Sequence, residues 1–185
     1  MVGLGNPGAD YAEHRHNVGF WLLDRLAQRH RLTFRLEKKF QGAVARLSSA
    51  AGDCWLLKPT TYMNHSGRAV GALAHFYKIA PQNILVVHDE LDLPPGRVRL
   101  KQQGGHGGHN GVRDIIQVLS SPSFHRLRIG IGHPGHKAAV HHYVLSAPNK
   151  AEWSLLQTAL DQVEHQWSLI QAGDRQAAMR VLHSQ

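Results

Sequence analysis

Apolar residues recur along this chain at two spacings, and each spacing predicts a different backbone structure. A spacing of three to four residues predicts an amphipathic helix, whereas alternation or a short apolar run predicts a strand. Helices are expected at residues 18–30, 66–78, 110–119 and 156–170, with a short one after Asp174. Strands are expected at residues 2–4, 32–36, 43–47, 54–57, 84–88, 98–100, 126–131 and 140–145.

The order of these elements predicts the fold class. Strands and helices interleave along the chain, which favours an α/β domain with a largely buried mixed sheet. The strands at 43–47 and 54–57 flank a turn at 49–53 and are expected to form a hairpin. No repeat, linker or low-complexity tract interrupts the chain, so we expect a single domain over residues 1–185. The expected helix N-caps are Asn17, Ser66, Asn110 and Asp174.

Charge and composition narrow the functional classes. The 185 residues include 21 lysines and arginines and 13 aspartates and glutamates, which gives a formal charge of +8. Such an excess attracts phosphates, anionic membranes or acidic proteins. No run of 18 apolar residues is present and the N-terminus resembles no signal peptide, so we expect a cytoplasmic protein without a membrane segment. The single cysteine, Cys54, excludes an intramolecular disulfide and indicates a reducing compartment.

The opening segment, residues 3–8, fits the pattern G-x-G-x-x-G of dinucleotide-binding sites. Such a site needs a complete strand before the glycines and a helix directly after them. Here the strand is short and the clear helix begins only near Asn17, so an NAD-dependent enzyme is a weak alternative. A turn with unusual backbone angles explains the glycines better. Asn6 then lies at the mouth of a strand, where its amide can contact a ligand.

One histidine and one carboxylate are candidates for acid–base chemistry. His16 lies between a turn and a helix, and an imidazole titrates near neutral pH, although a histidine in a loop is more often a plain surface residue. Asp89 follows the apolar run 84–87, and ligands of α/β sheets bind at the carboxyl ends of strands. Asp89 is therefore expected either to orient a histidine, as in a catalytic triad, or to cap the following turn.

The densest feature is the segment 104–111, which has five glycines in eight residues. Exposed backbone N–H groups at the start of a helix can hold an anion or a carbonyl group. His106 and His109 are spaced H-x-x-H, so a metal site has to be considered. Zinc needs at least three protein ligands, and no cysteine pair or H-E-x-x-H motif is present. A mobile lid over a substrate is the favoured interpretation.

Basic residues lie on two predicted strands, where a period of two places each set on one face. These residues are Arg97, Arg99 and Lys101 on the first strand, and Arg126 and Arg128 on the second. Such side chains are often merely solvated. Because the two sets flank the glycine-rich loop in sequence, they predict a groove for nucleic-acid phosphates beside a pocket.

Four long segments resemble the bacterial peptidyl-tRNA hydrolase family: residues 2–20 (VGLGNPGADYAEHRHNVGF), 58–70 (KPTTYMNHSGRAV), 84–111 and 124–135 (FHRLRIGIGHPG). The resemblance spans nearly the whole chain. It implies a single α/β domain with a twisted mixed β-sheet surrounded by helices. It also implies a monomeric esterase without metal or cofactor, which cuts the bond between the C-terminus of a peptide and the 3′-terminal ribose of tRNA.

The resemblance implies a role for each residue that matches a family motif. His16 corresponds to the catalytic base, and Asp89 to the carboxylate that stabilises its basic form. Asn6 corresponds to the residue that helps to exclude aminoacyl-tRNA with a free amine. Lys101 and Arg128 correspond to basic residues that hold tRNA phosphates.

Further matches surround the substrate. The resemblance implies amides that bind the peptide or the reacting water, aromatic residues that line the site, a methionine beneath the 3′ end and a histidine in the mobile loop. In this chain they are Asn64 and Asn110, Tyr11 and Tyr62, Met63, and His109. The chain departs from the family at its front, where members usually carry several more residues before Val2 that complete the first strand.

A protein of another class could use the same basic faces. A non-enzymatic RNA-binding protein would bind tRNA without cleaving it, but the chain has no aromatic pattern of an RNA-recognition module. The expected partner is therefore peptidyl-tRNA, bound at its acceptor stem and 3′ end, without a membrane or a second protein. The residues alone do not divide the amide roles among Asn6, Asn64 and Asn110.

Overall fold

A seven-stranded mixed sheet runs through the centre of the computed structural model, which describes residues 1–50 and 52–184. Ala51, in the predicted turn at 49–53, lies outside the described residues. The strands are β1 Val2–Gly3, β2 Arg35–Glu37, β3 Gly42–Ser49, β4 Gly52–Pro59, β5 Leu85–Glu90, β6 Val98–Gln102 and β7 His125–Gly130. The helices are α1 Val18–Arg29, α2 Ser66–Phe76, α3 Asn110–Leu119, α4 Val140–Val144, α5 Lys150–His165, α6 Trp167–Gln171 and α7 Arg175–His183.

The order of the strands in the sheet is β2-β3-β4-β1-β5-β7-β6. β1 lies between β4 and β5 and is parallel to both, and β5 is parallel to β7. The predicted hairpin is confirmed as the antiparallel pair β3 and β4. Because β1 and β5 are parallel neighbours, the loops after Gly3 and Glu90 emerge at the same edge of the sheet.

Helices cover both faces of the sheet, so the apolar run of β5 is buried on both sides. Leu85 and Val87 point into the core that α1, α5, α6 and α7 cover. Val86 points into the second core, which α2 and α3 cover. A strand that is buried on both faces reads as a continuous apolar run, and residues 84–87 show this pattern in the sequence.

Helix α1 packs against the sheet through two glycines, Gly3 and Gly19. A Cβ on Gly19 would overlap the backbone of Leu4 and Val87, and a Cβ on Gly3 would overlap the carbonyl group of Gly19. Only residues without a side chain allow this close approach. The contact brings the N-terminus of α1, and with it the loop that carries His16, directly above the ends of β1 and β5.

Two sequence predictions of secondary structure are wrong. Residues 140–145 form the short helix α4 instead of a strand, because Val140 and Val144 are spaced four apart and turn the same side inward. The predicted long helix over 156–170 is divided into α5 and α6, which meet at Gln166.

The predicted caps are partly wrong as well. Only Asp174 caps as predicted, accepting a hydrogen bond from Ala177 N. The Asn17 side chain makes no capping bond, and His109 caps α3 in place of Asn110. Ser66 lies inside α2, where its hydroxyl donates to the carbonyl of Met63.

Every helix in the described part of the chain is too short or too polar to cross a lipid bilayer.

Candidate active site

Three polar side chains converge where β1 and β5 end. Asn6 follows β1, Asp89 lies at the end of β5, and His16 lies in the turn before α1. All three are buried, with exposed fractions of 6%, 3% and 9%. The family resemblance assigned these residues to catalysis, and the fold brings them to one edge of the sheet.

Asp89 holds two histidines at once. Nδ1 of His16 lies 2.8 and 2.9 Å from the two carboxylate oxygens of Asp89, and Nε2 of His109 lies 2.9 Å from Oδ1. A carboxylate only accepts hydrogen bonds, so both of these ring nitrogens carry a proton. In neutral His16 the lone pair is therefore on Nε2, which has no hydrogen-bond partner among the described residues.

The two histidines hold Asp89 in its charged form. Burial alone would raise the pKa of the Asp89 carboxyl, but the charges and hydrogen bonds of His16 and His109 hold its pKa well below the usual range. The resulting carboxylate fixes the proton of His16 on Nδ1 and stabilises the imidazolium that forms when Nε2 accepts a proton. This arrangement suits a general base.

His88, the neighbour of Asp89, plays a different part. Its Nδ1 donates to the backbone oxygen of Asp89 at 2.6 Å, and its ring packs edge-on against His109, with 4.8 Å between the centroids. Burial, together with the charge of His109, lowers the pKa of His88 to about 3. His88 is thus a neutral residue that supports the end of β5.

The buried His88 makes the fold sensitive to acid. In the unfolded chain its imidazole gains a proton near pH 6.5, while the folded protein leaves it neutral down to about pH 3. Stability therefore falls as the pH drops from 6.5 towards 3, and His88 alone accounts for a loss of about 2 kcal/mol between pH 7 and pH 5. Urea unfolding of the wild type and of His88→Gln at both pH values measures this loss. The variant should show the smaller loss, with the exposed-site variant His136→Gln as control; equal losses would contradict the assignment.

Asn6 is oriented by a closed set of hydrogen bonds. Its backbone exchanges two bonds of 2.9 Å with the side chain of Asn17, which explains why Asn17 does not cap α1. The side-chain oxygen of Asn6 accepts from the backbone N–H of Met63 at 2.8 Å. The Nδ2 group of Asn6 is therefore the end of the amide that remains for a ligand, and it can only donate.

A cavity of about 690 Å³ opens in front of these groups. It brings together nine residues that the family resemblance assigned to catalysis or substrate binding: Asn6, Tyr11, His16, Tyr62, Met63, Asn64, Asp89, His109 and Asn110. The side chains of Asn64 and Asn110 are exposed and make no hydrogen bond within the described part of the chain. Their amides are available to a bound carbonyl or oxyanion. The rings of Tyr11 and Tyr62 meet edge to face across 6.1 Å, beside these amides.

One wall of the cavity was missed in the sequence. It is formed by Lys137 and by the segment 140–145 that was predicted as a strand, through Val140, His141, Val144 and Leu145. The helical spacing of Val140 and Val144 was the available signal, but five residues are too few for periodicity to distinguish a helix from a strand.

Arg15 connects this wall to the loop that carries His16. Its guanidinium lies 2.6 Å from Glu152, 2.7 Å from the hydroxyl of Ser146 and 4.2 Å from the centre of the Tyr143 ring. The side chain is 7% exposed, and the charge is thus neutralised inside the protein. We call Arg15, Tyr143, Ser146 and Glu152 the Arg15 clamp. It fixes α4 and the start of α5 against the residue next to the candidate base.

The basic residues lie outside the cavity and differ from one another. Lys101 is exposed, as a phosphate contact requires. Arg128 forms an ion pair of 2.7 Å with Glu90, so its charge is partly neutralised. Arg126 is 3% exposed and does not belong to a solvated basic face. The predicted groove therefore depends mainly on Lys101, with Arg128 as a paired second cation.

His16, Asp89 and His109 also form the kind of cluster that could hold a metal ion, since one ligand atom from each lies within 4.8 Å of the others. The hydrogen bonds disfavour this use. Nδ1 of His109 accepts from the backbone N–H of Val112, so the ring proton lies on Nε2 and points at Asp89. A metal ion on Nε2 would have to displace that proton and break the bond. The cluster is arranged to hold protons.

Fold and site together define a class of protein. It is an α/β protein in which a carboxylate orients a histidine beside a cavity lined by amide donors. A hydrolase that activates water needs these groups. A family model described as "Peptidyl-tRNA hydrolase" matches residues 1–185. The chain belongs to the peptidyl-tRNA hydrolase family.

Relatives and a solved structure are similar to this chain over nearly its whole length. A relative in Nitrosospira multiformis named "Peptidyl-tRNA hydrolase" is 55% identical over 185 residues, which are 100% of this chain and 97% of the relative. One in Halorhodospira halophila with the same name is 54% identical over 184 residues, covering 100% of this chain and 95% of the relative. The crystal structure of peptidyl-tRNA hydrolase from Acinetobacter baumannii has a TM-score of 0.95 and 48% identity, and the match covers 99% of this chain and 93% of that one. This likeness confirms the single-domain α/β fold.

Proposed function

We propose that this protein hydrolyses the ester bond between a peptide and the 3′-terminal ribose of tRNA, which releases the peptide and free tRNA. The observation that carries the proposal is the buried His16–Asp89 pair. Nε2 of His16 is free, and His16 lines a cavity that also presents amide donors. Family membership and the names of the relatives support the substrate. The net charge of +8 suits an RNA ligand.

The chemistry follows from the hydrogen bonds of the pair. Nε2 of His16 accepts a proton from water as the water oxygen attacks the ester carbonyl, and Asp89 stabilises the imidazolium that results. The carbon–oxygen bond to the ribose then breaks. The imidazolium returns its proton to the leaving ribose oxygen, so His16 is neutral again. An ester is activated enough for one base and a positioned water to suffice.

The amide side chains have two separate roles, stabilisation of the oxyanion and selection of the substrate. Asn64 and Asn110 have free donors beside the cavity and can stabilise the oxyanion, a contribution of typically about 3–4 kcal/mol per donor. Asn6 presents a fixed N–H donor, so a carbonyl oxygen of a blocked peptide binds there, whereas a free ammonium group cannot. This arrangement accounts for selection of peptidyl-tRNA over aminoacyl-tRNA.

Lys101 is proposed to contact a tRNA phosphate, because it is exposed and lies outside the cavity. Replacing it by alanine should raise KM and leave kcat nearly unchanged, since a phosphate contact contributes equally in the ground and transition states. The slope of the logarithm of the tRNA-binding constant against the logarithm of the salt concentration should become shallower by about 0.7–0.9, the value for one phosphate. Filter-binding titrations from 50 to 200 mM salt measure the slope, with the exposed-site variant Lys150→Ala as control. An unchanged slope would reject the contact.

Incubation with two substrates tests the function itself. N-blocked aminoacyl-tRNA and free-amine aminoacyl-tRNA are incubated separately with the protein, each with and without a chelator, and released tRNA is measured. Cleavage of the blocked substrate alone, with or without chelator, is the expected result. Binding of tRNA without cleavage would favour the non-enzymatic class, and loss of activity with chelator would contradict the base mechanism.

We also propose that the enzyme works in the cytoplasm as a monomer and needs no protein partner. The cavity and its catalytic pair are built from one copy of the chain, so a single molecule has a complete site. The substrate arises where tRNA carries growing peptides, which is the cytoplasm of a bacterial cell. Light scattering of the protein during turnover tests the oligomeric state.

A further inference from the structure

Arg126 is a cation that the proposed reaction leaves without a role. It lies on β7 beneath the glycine-rich loop of residues 103–109, which leads from β6 to α3. Its guanidinium donates to three consecutive backbone oxygens of that loop: Gly104 at 2.6 Å, Gly105 at 2.7 Å and Gln103 at 3.4 Å. The carbon of the guanidinium group also lies 4.7 Å from the centre of the Phe124 ring.

The surroundings of Arg126 do not suit a phosphate contact. The residue is 3% exposed, and its Nε atom is buried without a partner. Burial and the nearby charge of Arg128 lower its pKa, and no carboxylate contributes to the shift. The partial negative charges of the three loop carbonyls are thus the main compensation for a buried cation. Losing them would leave that cation unsatisfied, at considerable cost.

The other end of the same loop reaches the catalytic pair. His109 closes the loop, and its Nε2 donates to Asp89. The loop is therefore held at two points, by Arg126 at residues 103–105 and by Asp89 at residue 109. Between them, Gly107 and Gly108 have positive φ angles of 57° and 83°, where a Cβ would meet nothing within 4 Å. The free part of the lid is reduced to residues 106–108.

We propose that Arg126 is a positioning residue for the reaction: its three hydrogen bonds fix the root of the glycine-rich loop, so that His109 reaches Asp89 and Asn110 faces the cavity. The inference rests on the proposed function of the site. It assigns Arg126 to the lid and removes it from the surface that binds tRNA. Gly104 contributes to the same arrangement, because its φ of 115° is one that residues with a side chain rarely adopt, so a Cβ there would strain the loop at the carbonyl that Arg126 binds.

The test uses Arg126→Met, which keeps the aliphatic stem but removes the donors. We expect kcat on N-blocked aminoacyl-tRNA to fall by about 10–10²-fold, as for a small misplacement of catalytic groups. The Kd for uncharged tRNA and its salt slope should stay within about two-fold of wild type. In ¹⁵N-histidine NMR spectra, the signal of the His109 Nε2–H proton, assigned with His109→Gln, should broaden or disappear.

Three further variants separate this role from general destabilisation. Arg46→Met removes an arginine of β3 that pairs with Asp53 far from the loop, and should leave the His109 signal and kcat unchanged. Arg126→Lys keeps the positive charge but loses the planar set of guanidinium donors, so it should not restore kcat. Gly104→Ala disturbs the anchor from the loop side, so it should reproduce the losses even if Arg126→Met fails to fold.

Several outcomes would overturn the proposal. They are an unchanged kcat and His109 signal in Arg126→Met, full activity in Arg126→Lys, or a shallower salt slope with normal kcat, which would make Arg126 a phosphate contact. The NMR readout does not need turnover. Failure of the wild type to cleave the substrate would therefore refute the proposed function while the role of Arg126 in the loop could still be judged.

Discussion

Replacing His16 by alanine should reduce kcat by about 10²–10⁴-fold, the range that a positioned general base contributes. Nε2 of His16 is the basic atom of the pair, and without it water must attack the ester unassisted. Binding of tRNA should survive, because Lys101 and the other cations outside the cavity are untouched. Single-turnover hydrolysis of N-blocked aminoacyl-tRNA gives the rate, and filter binding gives the affinity.

His65→Ala is the matched control for this experiment. His65 is exposed and lies near the cavity without lining it, so its loss should leave kcat unchanged. If His16→Ala retained wild-type turnover, another group would have to be the base. If it lost tRNA binding as well as turnover, the variant would report a damaged fold, and a circular dichroism melting curve would show this.

Replacing Asp89 by asparagine should lower kcat by about 10²–10⁴-fold, although the side chain keeps its shape. An amide oxygen at the position of Oδ1 can still accept from His109, but the NH₂ group then lies at the position of Oδ2 and faces Nδ1–H of His16. Two donors cannot bond, so His16 is driven to the tautomer with its proton on Nε2. That tautomer has no lone pair for water.

The pH profile separates this effect from a loss of structure. Because the imidazolium loses its carboxylate partner, the pH–rate profile of Asp89→Asn should differ from that of the wild type. The measurement is kcat/KM between pH 5 and pH 8, with the exposed-site variant Asp92→Asn as control. A reduced rate with the wild-type profile would show that Asp89 does not act through His16.

Much of the site could be predicted because its residues lie at positions that the topology dictates. The apolar run 84–87 marks a buried strand, and a carboxylate directly after it lies at the edge where α/β proteins bind ligands. The glycine-rich loop before α3 was equally visible. The pairing of His16 with Asp89 was not, because 73 residues separate the two in sequence. For that step the family resemblance supplied the assignment.

The sequence was less informative where one residue type has several uses. Arg126 and Arg128 have the same spacing as surface cations, yet one is buried under a loop and the other is paired with Glu90. Their partners come from other elements, so local pattern cannot separate them. Asn17 was predicted to cap α1 for a similar reason, but its amide bonds to Asn6.

The Arg15 clamp has a consequence for the synthesis of this protein. An enzyme that detaches peptides from tRNA is itself attached to a tRNA while the ribosome makes it. The clamp joins Arg15 to Glu152, 137 residues later in the chain. The loop that carries His16 therefore cannot be fastened completely to the cavity wall until residues 143–152 have been translated and have emerged. A growing copy therefore lacks the finished cavity wall for most of its elongation.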